Sequence, residues 1–230
     1  MEQNQTSPAG FREKIAHLWY YYKWVILVVA LAAAFLLFTL INGLQYRAPD
    51  ANLLYLGGKT LNTSQIDHIY SVMKKNILKE DYNQNGSVDA DLISLRPRAA
   101  GKDEYGDVVY DPDFFSEYEH ELYSGDTVIF IVESKDLYER MLIDDLLVPL
   151  EDILGERPDN AHDAFSFRMG DLDLSKLDAF KVFSKDAYLC VRQARVVNGK
   201  VTQGALKAQE YNRKVFAEMV NYQFFVSDNV

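Results

Sequence analysis

The segment Asp81–Leu92 (DYNQNGSVDADL) carries oxygen-bearing side chains at alternate positions, which is the spacing of a calcium loop of the EF-hand type. Such a loop takes oxygen ligands from its first, third, fifth, seventh and ninth positions, with glycine at the sixth and a bidentate glutamate at the twelfth. Here Gly86 occupies the sixth position, but the twelfth is a leucine. The candidate metal ligands are Asp81, Asn83, Asn85, Ser87 and Asp89.

Two interpretations of this loop follow from its residues. Because the bidentate carboxylate is missing and two of the first three ligands are amides, any calcium affinity falls to the weak extracellular end of the range. The same residues also suit a tight turn between a helix and a strand, since Asn and Gly tolerate positive φ and Asp accepts backbone hydrogen bonds. We predict a turn first and a weak calcium site second.

The sequence contains no recognisable catalytic motif. It has no GxSxG elbow, no HExxH zinc motif, no phosphate-binding P-loop and no dinucleotide fingerprint, and its four histidines lack ligand-like spacing. The acidic run Glu117–Glu121 lies in a predicted amphipathic helix, where it is typical of a solvated face. The chain has a single cysteine, Cys190, so it cannot form an intramolecular disulfide. Because Cys190 lies in an apolar run, we predict that its thiol is buried. We therefore expect no enzymatic activity.

The charge of the chain excludes nucleic acid as a partner. Its 230 residues have a formal net charge of −10, from 24 basic and 34 acidic side chains. Three of the basic and two of the acidic side chains lie in residues 1–23, which leaves a net charge of −11 on the remainder. A surface this acidic repels phosphate backbones.

The strongest signal in the sequence is the uncharged apolar run Trp24–Ile41 (WVILVVALAAAFLLFTLI). It is of about the length that spans the hydrocarbon of a bilayer as a helix, and aromatic residues flank it on both sides. The run is too long for a cleavable signal peptide and no cysteine follows it to carry a lipid, so it predicts an uncleaved signal anchor.

The anchor divides the chain into four predicted segments. Arg12, Lys14 and Lys23 precede the apolar run, and this excess of positive charge predicts a cytoplasmic N-terminus and an exported C-terminal domain in the cell membrane. The predicted segments are a cytoplasmic tail at 1–23, a transmembrane signal anchor at 24–43, a linker at 44–50 and an extracytoplasmic α/β domain at 51–230.

Within the exported part, strand patterns alternate with helix patterns. ANLLYLGG reads as a buried strand, Thr63–Leu78 has apolar residues at helical spacing, and SVDADLISL reads as a second strand. Further on, Thr127–Ser134 predicts a central parallel strand, the run AYLCVRQAR a late strand, and the region from Thr202 to Tyr222 a last helix. This alternation predicts an α/β sandwich with a mostly parallel sheet. Arg96–Asp113 and the stretch FRMGDLDLSKLDAF are predicted to be polar excursions.

One part of this domain resembles a known family. Glu121–Leu154 (ELYSGDTVIFIVESKDLYERMLIDDLLVPLEDIL) contains a helix ending in a Ser-Gly-Asp step, a strand, a short helix and a Pro-Leu turn followed by acidic residues. This order resembles the sugar-type solute-binding proteins of ABC transporters. The chain is too short after Leu154 for a full second lobe, so the resemblance implies a one-lobe relative of the periplasmic-binding-protein fold, anchored in the membrane of Gram-positive bacteria.

The resemblance implies that a ligand binds at one edge of the sheet. Open α/β sheets bind ligands at the carboxyl ends of their strands, although glycines in that position can also simply terminate a strand. The candidate ligand-binding residues at these ends are Gly57, Gly58, Lys59, Ser134 and Lys135.

Two functional hypotheses remain open at this point. In the first, the exported domain is a membrane-tethered binding or interaction module whose partner is a sugar or peptide solute or another membrane protein. In the second, it is an architectural domain of a membrane complex that binds no small molecule and is stabilised by calcium. No cofactor other than weakly bound calcium is expected.

Overall fold

The computed structural model describes residues 10–45, 48–123, 126–194, 196–197 and 200–224. The chain divides into two compact units, Met1–Arg47 and Ala48–Val230. The first unit contains one long helix, and the second unit is an α/β domain.

Helix α1 (Phe11–Gln45) contains the predicted span. Its segment Trp19–Thr39 has a mean hydropathy of 2.1, is not buried inside the protein, and is long and apolar enough to cross a membrane. The helix is longer than the predicted anchor at both ends because no proline interrupts it between Pro8 and Pro49. Residues 1–9 of the predicted tail and residues 46–47 of the predicted linker lie outside the described residues.

The α/β domain contains a five-stranded sheet and two small hairpins. The sheet has the order β2-β1-β5-β7-β6, and the hairpins are formed by β3 with β4 and by β8 with β9. The strands are β1 (Ala51–Leu56), β2 (Ala90–Leu95), β3 (Ala99–Lys102), β4 (Val108–Tyr110), β5 (Ile129–Val132), β6 (Ser166–Arg168), β7 (Tyr188–Val191), β8 (Val196–Val197) and β9 (Lys200–Val201).

The main sheet is mixed but mostly parallel. Strand β1 pairs in parallel with β2 and with β5, whereas β7 runs antiparallel to both β5 and β6. Four of the five strands therefore run in one direction, and β7 is the exception. All six residues of β1 are buried, which agrees with its continuous apolar sequence and its position inside the sheet.

Helices cover both faces of the sheet. On one face, Leu53 and Tyr55 of β1 belong to the same core as α2 and α6, and on the other face Leu54 and Leu56 belong to the core of α3 and α4. The prediction of an α/β domain with a mostly parallel sheet is thus confirmed. The helices are α2 (Thr63–Asn76), α3 (Pro112–Tyr123), α4 (Lys135–Ile143), α5 (Leu150–Leu154) and α6 (Gln203–Val220).

The structure differs from the sequence prediction in the two polar excursions. The first contains the β3–β4 hairpin, and the second contains β6 followed by three 3-10 helices within 169–182. This segment buries Leu172, Leu174 and Phe180 in the core of the sheet face covered by α2 and α6, although acidic residues surround the two leucines in sequence. Strand β2 begins at Ala90 rather than Ser87, because the preceding residues form the end of the calcium-like loop.

The Ser-Gly step at 124–125, where a helix was predicted to end, and residues 198–199 between β8 and β9 lie outside the described residues. Strands β8 and β9 pair antiparallel, with Val197 opposite Lys200.

Candidate functional site

The carboxyl ends of four strands lie along one edge of the sheet. Strands β1, β2 and β5 end there at Leu56, Leu95 and Val132, and β6 ends there at Arg168. We call this side the carboxyl edge. In sheets of this kind, loops at that edge form ligand sites because they leave the sheet together and can be varied without disturbing the core.

At the centre of the carboxyl edge, the Glu133 carboxylate joins three parts of the chain. One oxygen accepts hydrogen bonds from the Tyr55 hydroxyl and the Ser184 backbone nitrogen, both at 2.9 Å. The other oxygen accepts from the Gly58 nitrogen at 3.0 Å. The structure therefore brings the predicted Gly58 against the strand β5 end, and a carboxylate of the domain already occupies its N–H group.

Gly57 is required by the packing of Tyr55. A Cβ atom built on Gly57 would lie 2.0 Å from the Cζ and Oη atoms of the Tyr55 ring, far inside van der Waals contact. The same atom built on Gly58 would approach nothing closer than a Glu133 oxygen at 3.8 Å. Because Gly57 has no side chain, the Tyr55 ring can fold back over the backbone at that position. The role of Gly57 is therefore structural.

Two further predicted ligand residues form bonds within α4. Ser134 is the N-cap of the helix: its Oγ accepts from the Leu137 nitrogen at 3.3 Å and lies 3.2 Å from the Tyr110 hydroxyl. Lys135 forms an ion pair with Glu139 at 3.1 Å, one helical turn along, and this hydrogen bond raises the pKa of Lys135. Lys59 is exposed and lies beyond Gly58.

A cleft of about 330 Å³ lies at the carboxyl ends of β1 and β2. Arg96 and Arg98 are exposed at this cleft, and neither forms an ion pair with any residue in the described part of the chain. The cleft combines these cations with hydroxyl groups, the Glu117 carboxylate and an apolar wall. Its lining is Thr60, Ser94, Leu95, Arg96, Arg98, Phe114 and Glu117.

The sequence prediction missed this cleft although the sequence carried a signal for it. The motif Arg96-Pro97-Arg98 follows directly after the last residue of a parallel strand, and the rule that selected the ends of β1 and β5 applies equally there. The three basic residues Lys59, Arg96 and Arg98 are then close to adjacent strand ends of an acidic domain, which makes the cleft the best candidate site.

The calcium-like loop lies at the opposite edge, before β2, and its oxygens accept bonds from its own backbone. The two Asp81 carboxylate oxygens accept from the nitrogens of Asn85 at 3.0 Å and Gly86 at 2.6 Å. The Asn83 amide oxygen also accepts from the Asn85 nitrogen, and the Asn85 amide oxygen accepts from Ser87. Gln84 and Gly86 have φ of 58° and 84°, which is the left-handed conformation that this tight loop requires.

A buried carboxylate supports the loop from behind. Asp50 is fully buried and accepts bonds from the nitrogens of Asn83 at 3.0 Å and Asp89 at 3.2 Å. Burial raises the pKa of Asp50, although these N–H bonds oppose the shift. The Asp89 side chain faces outward and lies 3.8 Å from Lys74.

The predicted metal ligands do not form a cluster of acids. Asp81 and Asp89 are the only carboxylates among the five, and the described residues contain no group of three or more His, Cys, Asp or Glu side chains placed to bind a metal ion. Calcium binding by this loop stays a prediction.

Comparison of the chain with protein-family models, with curated proteins and with solved structures finds no match. The resemblance to solute-binding proteins therefore stays a hypothesis drawn from the sequence.

Proposed function

We propose that this protein is a membrane-tethered binding module without catalytic activity, which recognises an anionic partner at the cleft beside Arg96 and Arg98. Helix α1 serves as the anchor, with the N-terminus in the cytoplasm and the α/β domain outside the cell membrane. The helix is long and apolar enough to cross a bilayer, which supports the anchor.

The single observation that carries the proposal is the pair of arginines without carboxylate partners in the described part of the chain. Arg96 and Arg98 line the same cleft as Thr60 and Ser94, in a domain whose net charge is strongly negative. A guanidinium group offers several N–H donors in a fixed plane and binds carboxylate and phosphate groups well. Two such groups at the end of parallel strands therefore favour an anionic ligand over a neutral sugar.

The hydrogen bonds made at the end of β5 favour a site at the β2 end of the carboxyl edge. The Glu133 carboxylate, the Ser134 hydroxyl and the Lys135 ammonium group all form bonds within the domain, and these bonds close the β5 end of the edge. A ligand at β5 would have to break them, whereas a ligand at Arg96 and Arg98 breaks no ion pair of the described chain.

A thermal-shift assay tests the proposal. The full-length chain in detergent micelles would be heated with a panel of sugars, oligosaccharides, phosphate esters and peptides. A ligand that binds only the native state raises the melting temperature by mass action. We expect a shift with an anionic class that is lost in the Arg96→Gln, Arg98→Gln double variant. A panel that gives no shift, or a shift that the variant retains, contradicts the proposal.

A second candidate function is an architectural domain that binds no small molecule. The carboxylates of Glu133 and Asp81 favour this candidate, because both already accept hydrogen bonds from groups of the domain itself and need no ligand. This candidate predicts a flat ligand panel together with a stable oligomer of the full-length chain, measured as mass by light scattering.

A further inference from the structure

Strand β2 is the outermost strand of the sheet on the side next to the cleft. The Asp50 nitrogen donates to the Asp89 carbonyl at 2.7 Å, and the Gly57 nitrogen donates to the Leu95 carbonyl at 3.3 Å. The odd-numbered residues between Asp89 and Leu95 therefore direct their backbone N–H and carbonyl groups towards β1. By the alternation of a β-strand, the backbone groups of Ala90, Leu92 and Ser94 point away from the sheet.

Only one of these outward groups has a partner among the described residues. The Leu92 N–H donates to the Tyr70 hydroxyl at 2.8 Å, so a side chain of α2 covers the middle of the edge. The Ser94 hydroxyl oxygen accepts from the Leu61 N–H at 3.1 Å, but within the described chain no hydrogen bond is formed by the outward N–H and carbonyl of Ser94 itself. A row of open donors and acceptors on an edge strand is a template for another extended segment.

The open end of this edge leads into the cationic cleft. Ser94 lines the cleft with Arg96 and Arg98, and a second cleft of about 350 Å³ shares Leu95 and Glu117 with it. The two clefts adjoin along the α3 side of β2. The edge therefore offers backbone bonds at Ser94 and positive charge beyond it, while the second cleft carries the carboxylates of Glu117 and Glu121, so an acidic side chain is placed at the arginines and not beside α3.

We propose that the binding partner is an extended acidic peptide segment, which adds to the free edge of β2 as a short strand and places a carboxylate at Arg96 and Arg98. This inference rests on the proposed function and specifies its ligand. Backbone bonds to Ser94 provide affinity, and the arginines provide the preference for acidic side chains.

Tyr70 sets the length of the added strand. Because its hydroxyl occupies the Leu92 N–H, the peptide pairs with the Ser94 end of the edge and not with its whole length. Leu92 itself is 4% exposed, so its backbone groups lie out of a partner's reach with or without the hydroxyl.

The experiment measures peptide binding to the full-length chain in detergent micelles by fluorescence anisotropy. The probes are a labelled short peptide that alternates valine and glutamate, the same peptide with N-methylated valines, and a counterpart that alternates valine and lysine. N-methylation removes backbone donors without changing charge. We expect binding of the first peptide only, with N-methylation or the Arg96→Glu, Arg98→Glu double variant weakening it about tenfold or more. Lys207→Glu, an exposed charge reversal on α6, is the matched control and leaves affinity unchanged.

The outcomes separate this inference from the proposed function. Equal binding of the N-methylated and unmodified acidic peptides overturns strand addition, while loss of both in the arginine variant supports the anionic cleft. Absence of any peptide binding overturns the inference, and a thermal shift with another anionic class then preserves the proposed function. Binding of the unmodified acidic peptide that is lost on N-methylation supports strand addition at β2.

Discussion

The hydroxyl of Tyr70 accepts a hydrogen bond from the Leu92 backbone nitrogen at 2.8 Å and donates one to the Asp91 carboxylate at 3.1 Å. A side chain on α2 thus closes part of the exposed edge of strand β2. Edge strands with open backbone groups tend to pair with other chains, and a covering side chain limits this pairing. The same bond therefore stabilises the domain and restricts which part of β2 a partner can reach.

Replacing Tyr70 by Phe should destabilise the domain. Leu92 is almost fully buried, so its N–H loses its partner without gaining free access to water. We expect the free energy of unfolding to fall by about 1–2 kcal/mol in urea denaturation. Tyr105→Phe is the matched control, because Tyr105 is 82% exposed and its hydroxyl makes no hydrogen bond within the described chain. Equal stability of the two variants would refute the role of this bond.

Alkaline pH should weaken the fold through the same tyrosine. Burial is the main cause that raises the pKa of Tyr70 from 10.0 to about 12. Because the folded state holds this proton more tightly than the unfolded state, its contribution to stability is complete below pH 10 and is lost as the pH rises towards 12. Burial also raises the pKa values of Tyr55, Tyr118 and Tyr138, so these tyrosines contribute to the same loss of stability at alkaline pH. Urea midpoints measured across this range should fall less steeply in Tyr70→Phe, and parallel curves would contradict the assignment.

The substitution Gly57→Ala distinguishes a structural glycine from a ligand-binding one. The added methyl group would overlap the Tyr55 ring, which is held by the Glu133 hydrogen bond at 2.9 Å and packs against Phe183. We expect a loss of about 1–3 kcal/mol in the free energy of unfolding, as for other overpacked sites. Gly58→Ala is the control and should be nearly neutral because its methyl group has room. Equal stability of both variants would show that the overlap is relieved at no cost.

The loop at Asp81 should matter for stability with or without calcium. Its carboxylate closes the turn by accepting bonds from Asn85 and Gly86, so Asp81→Ala leaves two N–H groups without these partners. We expect the melting temperature to fall in chelator as well as in calcium, with a loss of about 1–3 kcal/mol. Glu80→Gln is the control, since this exposed neighbour makes no such bond within the described chain.

The same measurement separates the two interpretations of the loop. A turn alone predicts equal melting temperatures in calcium and in chelator for the unmodified chain. A rise in calcium that disappears in Asp81→Ala would assign a metal site there, because only binding to the native state raises the melting temperature. An Asp81→Ala variant as stable as the unmodified chain in chelator would contradict the hydrogen-bonded turn.

Apolar periodicity was sufficient to predict the elements that bury a long continuous face. Strand β1 and helices α2 and α6 were predicted in this way, and their apolar residues are in the core. Strand β6 was not predicted, because three residues carry no period and its pairing with β7 joins Phe167 to Leu189, which are distant in sequence. The 3-10 helices were missed for a similar reason: their leucines are spaced by short turns, not by helical periods.

The edge that contains the candidate site was predicted, but its individual residues were not. The rule for parallel sheets selected the ends of β1 and β5, and the bonds of Glu133 to Gly58 and Ser184 could not be read from residues so far apart in sequence. Arg96 and Arg98 were assigned to a surface excursion because Arg96–Asp113 is rich in Gly, Pro and charge, although the predicted strand SVDADLISL ends at Leu95, where β2 also ends. Such contacts depend on the packed sheet and not on local sequence.

The last prediction concerns the membrane anchor. Two aspartates placed in the apolar run, by Val29→Asp and Ala32→Asp, should each cost about 3 kcal/mol of insertion free energy near the centre of a span. We expect the full-length chain to stay in the membrane fraction after alkaline carbonate extraction with its N-terminus intact by mass, and the double variant to be extracted.

A chain that begins at Ala48 should remain soluble and folded without detergent, because the second compact unit has its own core. Aggregation of that shortened chain, or carbonate extraction of the unmodified one, would refute the single-span anchor.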